Sequence, residues 1–131
     1  SLDQAYWVLG RMQQEQRNYD KAIEFFRKAL EVNEDKDFGL KLQWLVAWNL
    51  KEHGKEAESL AEFEKLALMA KKQQNDVNRF KGLYWQAQVL KNQGETSKYK
   101  SILEDIVKEN FFGYYGRLSA LELEDQEQFK T

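Results

Sequence analysis

Eight side chains carry the recognition chemistry in which this sequence is richest: Trp7, Arg11, Trp44, Trp48, Lys51, Tyr84, Gln88 and Lys91. Indole and phenol rings present flat apolar faces to the C–H faces of sugars, and Arg, Lys and Gln donate hydrogen bonds to hydroxyls or carboxylates. The same mix can clamp a peptide. Aromatic residues make up 14% of the chain, including four Trp, which is more than a small helical core requires. The competing expectation is that these rings pack against neighbouring helices. Trp85, Tyr114 and Tyr115 in particular are expected to fill the junction before the final helix.

Catalytic chemistry has weaker footing. General acid catalysis needs one carboxyl desolvated and another kept ionised beside it. The chain has 22 acidic residues, but no spacing selects such a pair, so they read as solvated helix faces. Glu58-Ser59 reads as helix surface too. His53 is the sole histidine and directly precedes Gly54. It is expected to interact with the terminal carbonyls of a helix, since a metal site needs several convergent ligands. The absence of cysteine removes thiolate nucleophiles, disulfides and thiolate metal sites and leaves the compartment open. The seven glycines are dispersed and form no phosphate-cradling loop. No catalytic residue, metal site or cofactor is expected.

The elements that must position the eight side chains follow from a repeat. Ala47, Leu50, Gly54, Phe63 and Leu66 recur 40 residues later as Ala87, Leu90, Gly94, Leu103 and Ile106. A step back of 37 residues gives Gly10, Arg17, Phe26 and Ala29, with Arg17 at the turn position. Repeats of this length form stacked helical hairpins, whose function resides in an extended surface. The expected fold is all-α: a right-handed α/α superhelix of about three hairpins over residues 2–32, 37–72 and 76–109. A closing helix follows over about 111–123. Small residues at Gly10, Ala47 and Ala87 allow close helix approach, and Phe26 and Phe63 wedge between helices. Gly54 is a natural left-handed helix end. Asn18 with Asp20, Asp76, and Thr96 or Ser97 are the expected helix caps. In this register the eight side chains project from the first helices towards the concave side.

Twenty basic side chains are interleaved with the acidic ones, for a net charge of −2, which argues against nucleic acid as a partner. No window approaches 18 apolar residues, so no membrane span is expected. The absence of proline fits helices joined by short turns, and the start at Ser1 suggests a piece of a longer protein.

Tyr6, Leu9, Gly10, Tyr19, Ala22, Phe26 and Ala29 make the first copy resemble a tetratricopeptide repeat, from which Ser59 and Tyr99 depart in the later copies. Three further segments form an ordered series: Trp44-Leu45-Val46-Ala47-Trp48 through Gly54, Leu83-Tyr84-Trp85-Gln86-Ala87 through Gly94, and Tyr114-Tyr115-Gly116-Arg117-Leu118. The series resembles the superhelical domain of soluble lytic murein transglycosylases. That resemblance implies a non-catalytic, periplasmic scaffold, positioning a lysozyme-like catalytic domain of the same parent chain and a peptidoglycan glycan strand. The motif carrying that family's catalytic glutamate does not occur here. The alternative implied by the first copy is a tetratricopeptide-type adaptor that binds a partner peptide in its concave groove.

Overall fold

The computed structural model describes residues 1–128, and these form seven helices. They are α1 (Leu2–Glu15), α2 (Tyr19–Val32), α3 (Lys36–Glu52), α4 (Glu56–Lys72), α5 (Asp76–Asn92), α6 (Thr96–Glu109) and α7 (Tyr114–Gln128). Phe111–Gly113 belong to the turn before α7, so the closing helix starts at Tyr114 instead of Phe111.

Four of the turns share one hydrogen-bond pattern. After α1, α3, α4 and α5 the chain passes through a left-handed residue, at Arg17 (φ 61), Gly54 (φ 76), Gln74 (φ 56) and Gly94 (φ 79). The next amide then bonds back across the last helical turn, as in Lys55 N–H to the Leu50 carbonyl at 2.9 Å and Asn18 N–H to the Gln13 carbonyl at 2.9 Å. This is the six-to-one closure that satisfies orphan carbonyls at a helix end. Arg17 performs it in the first hairpin without glycine's freedom.

The amino-terminal caps differ from expectation. Asn75, not Asp76, caps α5 by accepting from the Asn78 N–H at 3.0 Å. Asp35 caps α3 in the same way through the Phe38 N–H at 2.8 Å. Thr96 and Ser97 lie inside α6, whose cap position holds Glu95 without a side-chain bond. Asn18 stands at the cap position of α2 but turns its amide to Gln13 instead.

Each helix packs on the next, and α3 also meets α5 as α5 meets α7. No comparable contact joins α2, α4 and α6, so α3, α5 and α7 are the more closely spaced layer, the inner wall of the solenoid, which α1 extends through the packing of Trp7 on Phe38. Phe26 and Phe63 are fully buried between hairpins, as are Ala47 and Ala87. The small residues act as expected: a Cβ on Gly10 would meet the Phe26 ring at 2.5 Å. A further close approach lies at Gly82, where a Cβ would meet the α4 backbone 2.9 Å from the Ala67 nitrogen. The core is thus divided into clusters between successive helices, as a solenoid requires.

Candidate functional site

The inner wall gathers the aromatics into one connected group. Trp44 and Trp48, one turn apart on α3, stack at 5.3 Å between ring centres. Trp85 of α5 meets them edge-on, at 6.2 Å from Trp44 and 5.0 Å from Trp48. Tyr84 adjoins Trp85 at 5.5 Å and Tyr115 of α7 at 5.5 Å. Trp44 also reaches Phe63 in the core at 5.5 Å, which fixes the group from behind. Trp7 stands apart from it, half-buried against Phe38 at 6.2 Å.

Lysines cover these rings. The Lys81 ammonium lies 3.9 Å from the centre of the Trp44 ring, and that of Lys41 lies 4.5 Å from Trp7. Lys41 and Lys81 are 40 residues apart and Trp7 and Trp44 are 37 apart, so this is one contact repeated by the array. A lysine of each hairpin caps the tryptophan of the hairpin before it. Lys51 stands 5.0 Å from Trp48 and 5.5 Å from Trp85. Indole is the strongest aromatic partner for a cation, and such contacts contribute about 0.5–2 kcal/mol according to desolvation. Among the described residues no carboxylate pairs with Lys41, Lys51 or Lys81. Burial lowers the pKa of Lys81 below the ordinary lysine value.

The third hairpin breaks the series because α7 lies on it. Glu122 of α7 accepts hydrogen bonds from the Tyr84 hydroxyl at 2.8 Å, the Gln88 amide at 2.8 Å and the Tyr99 hydroxyl at 2.5 Å. The Lys91 ammonium adds an ion pair to the same carboxylate at 3.8 Å. Burial, followed by the Glu122 hydrogen bond, raises the pKa of both Tyr84 and Tyr99 well above the ordinary 10.0.

The eight residues singled out from the sequence therefore fall into groups. Trp44, Trp48 and Lys51 come together on the open wall between α3 and α5. Trp7 lies one hairpin away under Lys41, and Arg11 is exposed on α1 without joining either. Tyr84 is buried and with Gln88 it faces α7 instead of open solvent, whereas Lys91 reaches Glu122 from an exposed position. Trp85 sits centrally in the aromatic group, and Tyr115 packs with it against the core cluster of α5 and α6, filling the junction as expected. Tyr114 instead stands exposed.

His53 departs from its expected role. It ends α3, yet its Nε2 lies 3.2 Å from Asp20 and its ring lies against Tyr19, tying the hairpin turn to α2. The sequence reading missed Lys41, Lys81 and Glu122. The spacing of 40 residues would have revealed the two lysines, whereas Glu122 lies outside the repeat and left no periodic signal.

Residues 5–36 and 81–110 match family models, each described as a tetratricopeptide repeat. The chain carries tetratricopeptide repeats. A tetratricopeptide structure, the TPR2AB domain of yeast Sti1 in its complex with pHSP90, superposes with a TM-score of 0.72 over 95% of this chain. The identity is 17%, so the likeness is one of fold, and the chain spans 48% of that structure's length. No curated protein sequence matches the chain. Neither the repeat models nor the similar structure is a murein transglycosylase.

Proposed function

We propose that the chain is a non-catalytic tetratricopeptide-type adaptor segment that binds an acidic peptide of a partner protein along the wall of α1, α3 and α5. The observation that carries this reading is the repeated placement of lysine on tryptophan, with no carboxylate partner at Lys41, Lys51 or Lys81 among the described residues. Each ammonium is held by a ring that cannot neutralise it, so its N–H groups keep donor capacity for an incoming carboxylate. The tetratricopeptide structure of yeast Sti1, solved in a complex with pHSP90, supports a protein partner for this architecture.

A peptidoglycan glycan strand is the second reading. It would make the chain a scaffold segment of a periplasmic lytic transglycosylase, resting beside the catalytic domain of its parent. The indole group of Trp44, Trp48 and Trp85 favours it, because sugars stack on such faces. The lysines count against it, since they cover the faces a sugar would use.

Fluorescence anisotropy with a labelled Asp/Glu-rich peptide, its Lys-rich counterpart and purified glycan fragments separates the two. Saturable binding of the acidic peptide alone, weakened by salt and by Lys41→Met with Lys81→Met, is expected. Binding of glycan fragments with no response to the acidic peptide would replace the adaptor reading with the scaffold one.

A further inference from the structure

Equivalent lysines stand in a row across the inner wall. Lys41 on α3 lies over Trp7 of α1, and Lys81 on α5 lies over Trp44 of α3, at 4.5 and 3.9 Å from the ring centres. Each is the sixth residue of its helix, so the two ammonium groups sit level with one another on neighbouring helices. Lys51 is further along α3, about 15 Å from Lys41 along the helix axis, and stands outside the row.

The row ends after two cations. Trp85 of α5 touches Trp44, Trp48 and Lys51, and Glu122 of α7 touches Tyr84, Gln88 and Lys91, the residues 40 positions later. Glu122 is thus the counterpart of Trp85, 37 residues on. By the same step the counterpart of Lys81 is Leu118, a partly buried apolar side chain.

The separation within the row is set by the fold. Helices α3 and α5 are in direct contact, and the axes of helices packed in contact lie about 8–10 Å apart. On the outer layer the Arg27 guanidinium of α2 bonds Glu62 of α4 at 3.2 Å, and Gly82 lets α5 lie on the α4 backbone, so successive hairpins are held at a close spacing. A peptide that meets both lysines must present two carboxylates on one face at about that separation. A β-strand does not, because residues i and i+2 on one face are about 6.7 Å apart and i and i+4 about 13 Å. A polyproline II segment does. Three of its residues complete a turn and advance the chain about 9 Å, which returns residue i+3 to the face of residue i. An α-helix would need carboxylates seven residues apart, at about 10.5 Å, and a short isolated helix is marginal in water.

We propose that the motif read by the inner wall is a pair of acidic side chains three residues apart on a polyproline II segment, one for Lys41 and one for Lys81, an inference that deepens the adaptor reading and rests on it. Two equivalent sites one hairpin apart call for two equivalent groups, which side chains supply and a single chain terminus does not.

The test is isothermal titration with acetylated, amidated twelve-residue peptides of Ala, Gln and Ser that carry two Glu at spacings of two, three, four or seven, beside a single-Glu control. The peptide with spacing three is expected to bind about fivefold more tightly than the others. Pro at its two intervening positions should tighten binding further, because it pre-sets the conformation. Lys41→Met or Lys81→Met should each reduce it to the affinity of the single-Glu control, whereas Lys51→Met should weaken every peptide alike and keep the preference. Equal affinity for all four spacings would overturn the spaced pair while leaving the acidic-peptide reading in place. A preference for spacing seven, or weaker binding of the Pro-containing peptide, would overturn the polyproline II ligand. Failure of every acidic peptide to bind would remove the adaptor reading and this inference together.

Discussion

Lys81 holds its ammonium 3.9 Å from the centre of the Trp44 ring, and the contact joins two hairpins, with the cation on α5 and the ring on α3. The charge is thereby fixed in position, and among the described residues no carboxylate pairs with it. A lysine so placed is pre-organised for an anion, because less side-chain freedom remains to be lost on binding.

Substituting Lys81→Met preserves the apolar stem over the indole and removes only the charge. Affinity for an acidic peptide should fall about three- to fivefold, with a shallower salt dependence. Folding stability should change by no more than about 1 kcal/mol. Isothermal titration at two ionic strengths reads the first effect, and a urea melt reads the second.

Gly82 and Gly94 separate two kinds of glycine requirement. A methyl group at Gly82 meets the backbone of α4, 2.9 Å from the Ala67 nitrogen and 3.0 Å from the Phe63 oxygen, which cannot yield as a flexible side chain can. Gly82→Ala should cost about 1–3 kcal/mol through displaced helices. At Gly94 nothing stands within 4 Å, and the difficulty is the φ of +79° alone. There alanine should cost about 1–2 kcal/mol. Denaturant midpoints supply both values, and intrinsic Trp fluorescence should shift only for Gly82→Ala, which disturbs the packing around α5.

Arg17 occupies the left-handed region at φ 61 in the turn where the later hairpins use glycine. The left-handed conformation costs an ordinary residue roughly 1–2 kcal/mol, partly offset by glycine's larger loss of freedom on folding. Arg17→Gly should therefore stabilise the chain by up to about 1 kcal/mol. An unchanged or lower urea midpoint would show that the Arg17 side chain contributes something the turn geometry does not reveal.

Alkali should unfold this chain through Tyr84 and Tyr99. Both phenols have pKa values raised above 10.0 in the folded state, first by burial and then by Glu122, so the folded form holds its protons longer than the unfolded one. Their contribution is fully present below pH 10 and is lost as pH rises beyond it through the folded values. Replacing both with Phe should flatten the alkaline decline. It should also lower stability at neutral pH by about 1–3 kcal/mol, since Glu122 loses two donors. Thermal melts between pH 7 and 11 test both outcomes.

What the sequence revealed depended on whether the cause was local. Gly54, Gly94, Ala47 and Ala87 act within one hairpin or between adjacent ones, so their spacing was enough to place helix ends and close contacts. Asn75 displaced Asp76 as a cap because neighbouring polar residues compete for one position, and spacing does not rank them. The fate of Tyr84, Gln88 and Lys91 was hidden for a different reason. Their partner Glu122 lies on a helix outside the repeat, 38 residues beyond Tyr84, so no periodicity linked them.

The brace between Arg27 and Glu62 also has a mechanical consequence. The Arg27 guanidinium on α2 bonds the Glu62 carboxylate on α4 at 3.2 Å, so the outer layers of the first two hairpins are tied directly and cannot splay apart without breaking this pair.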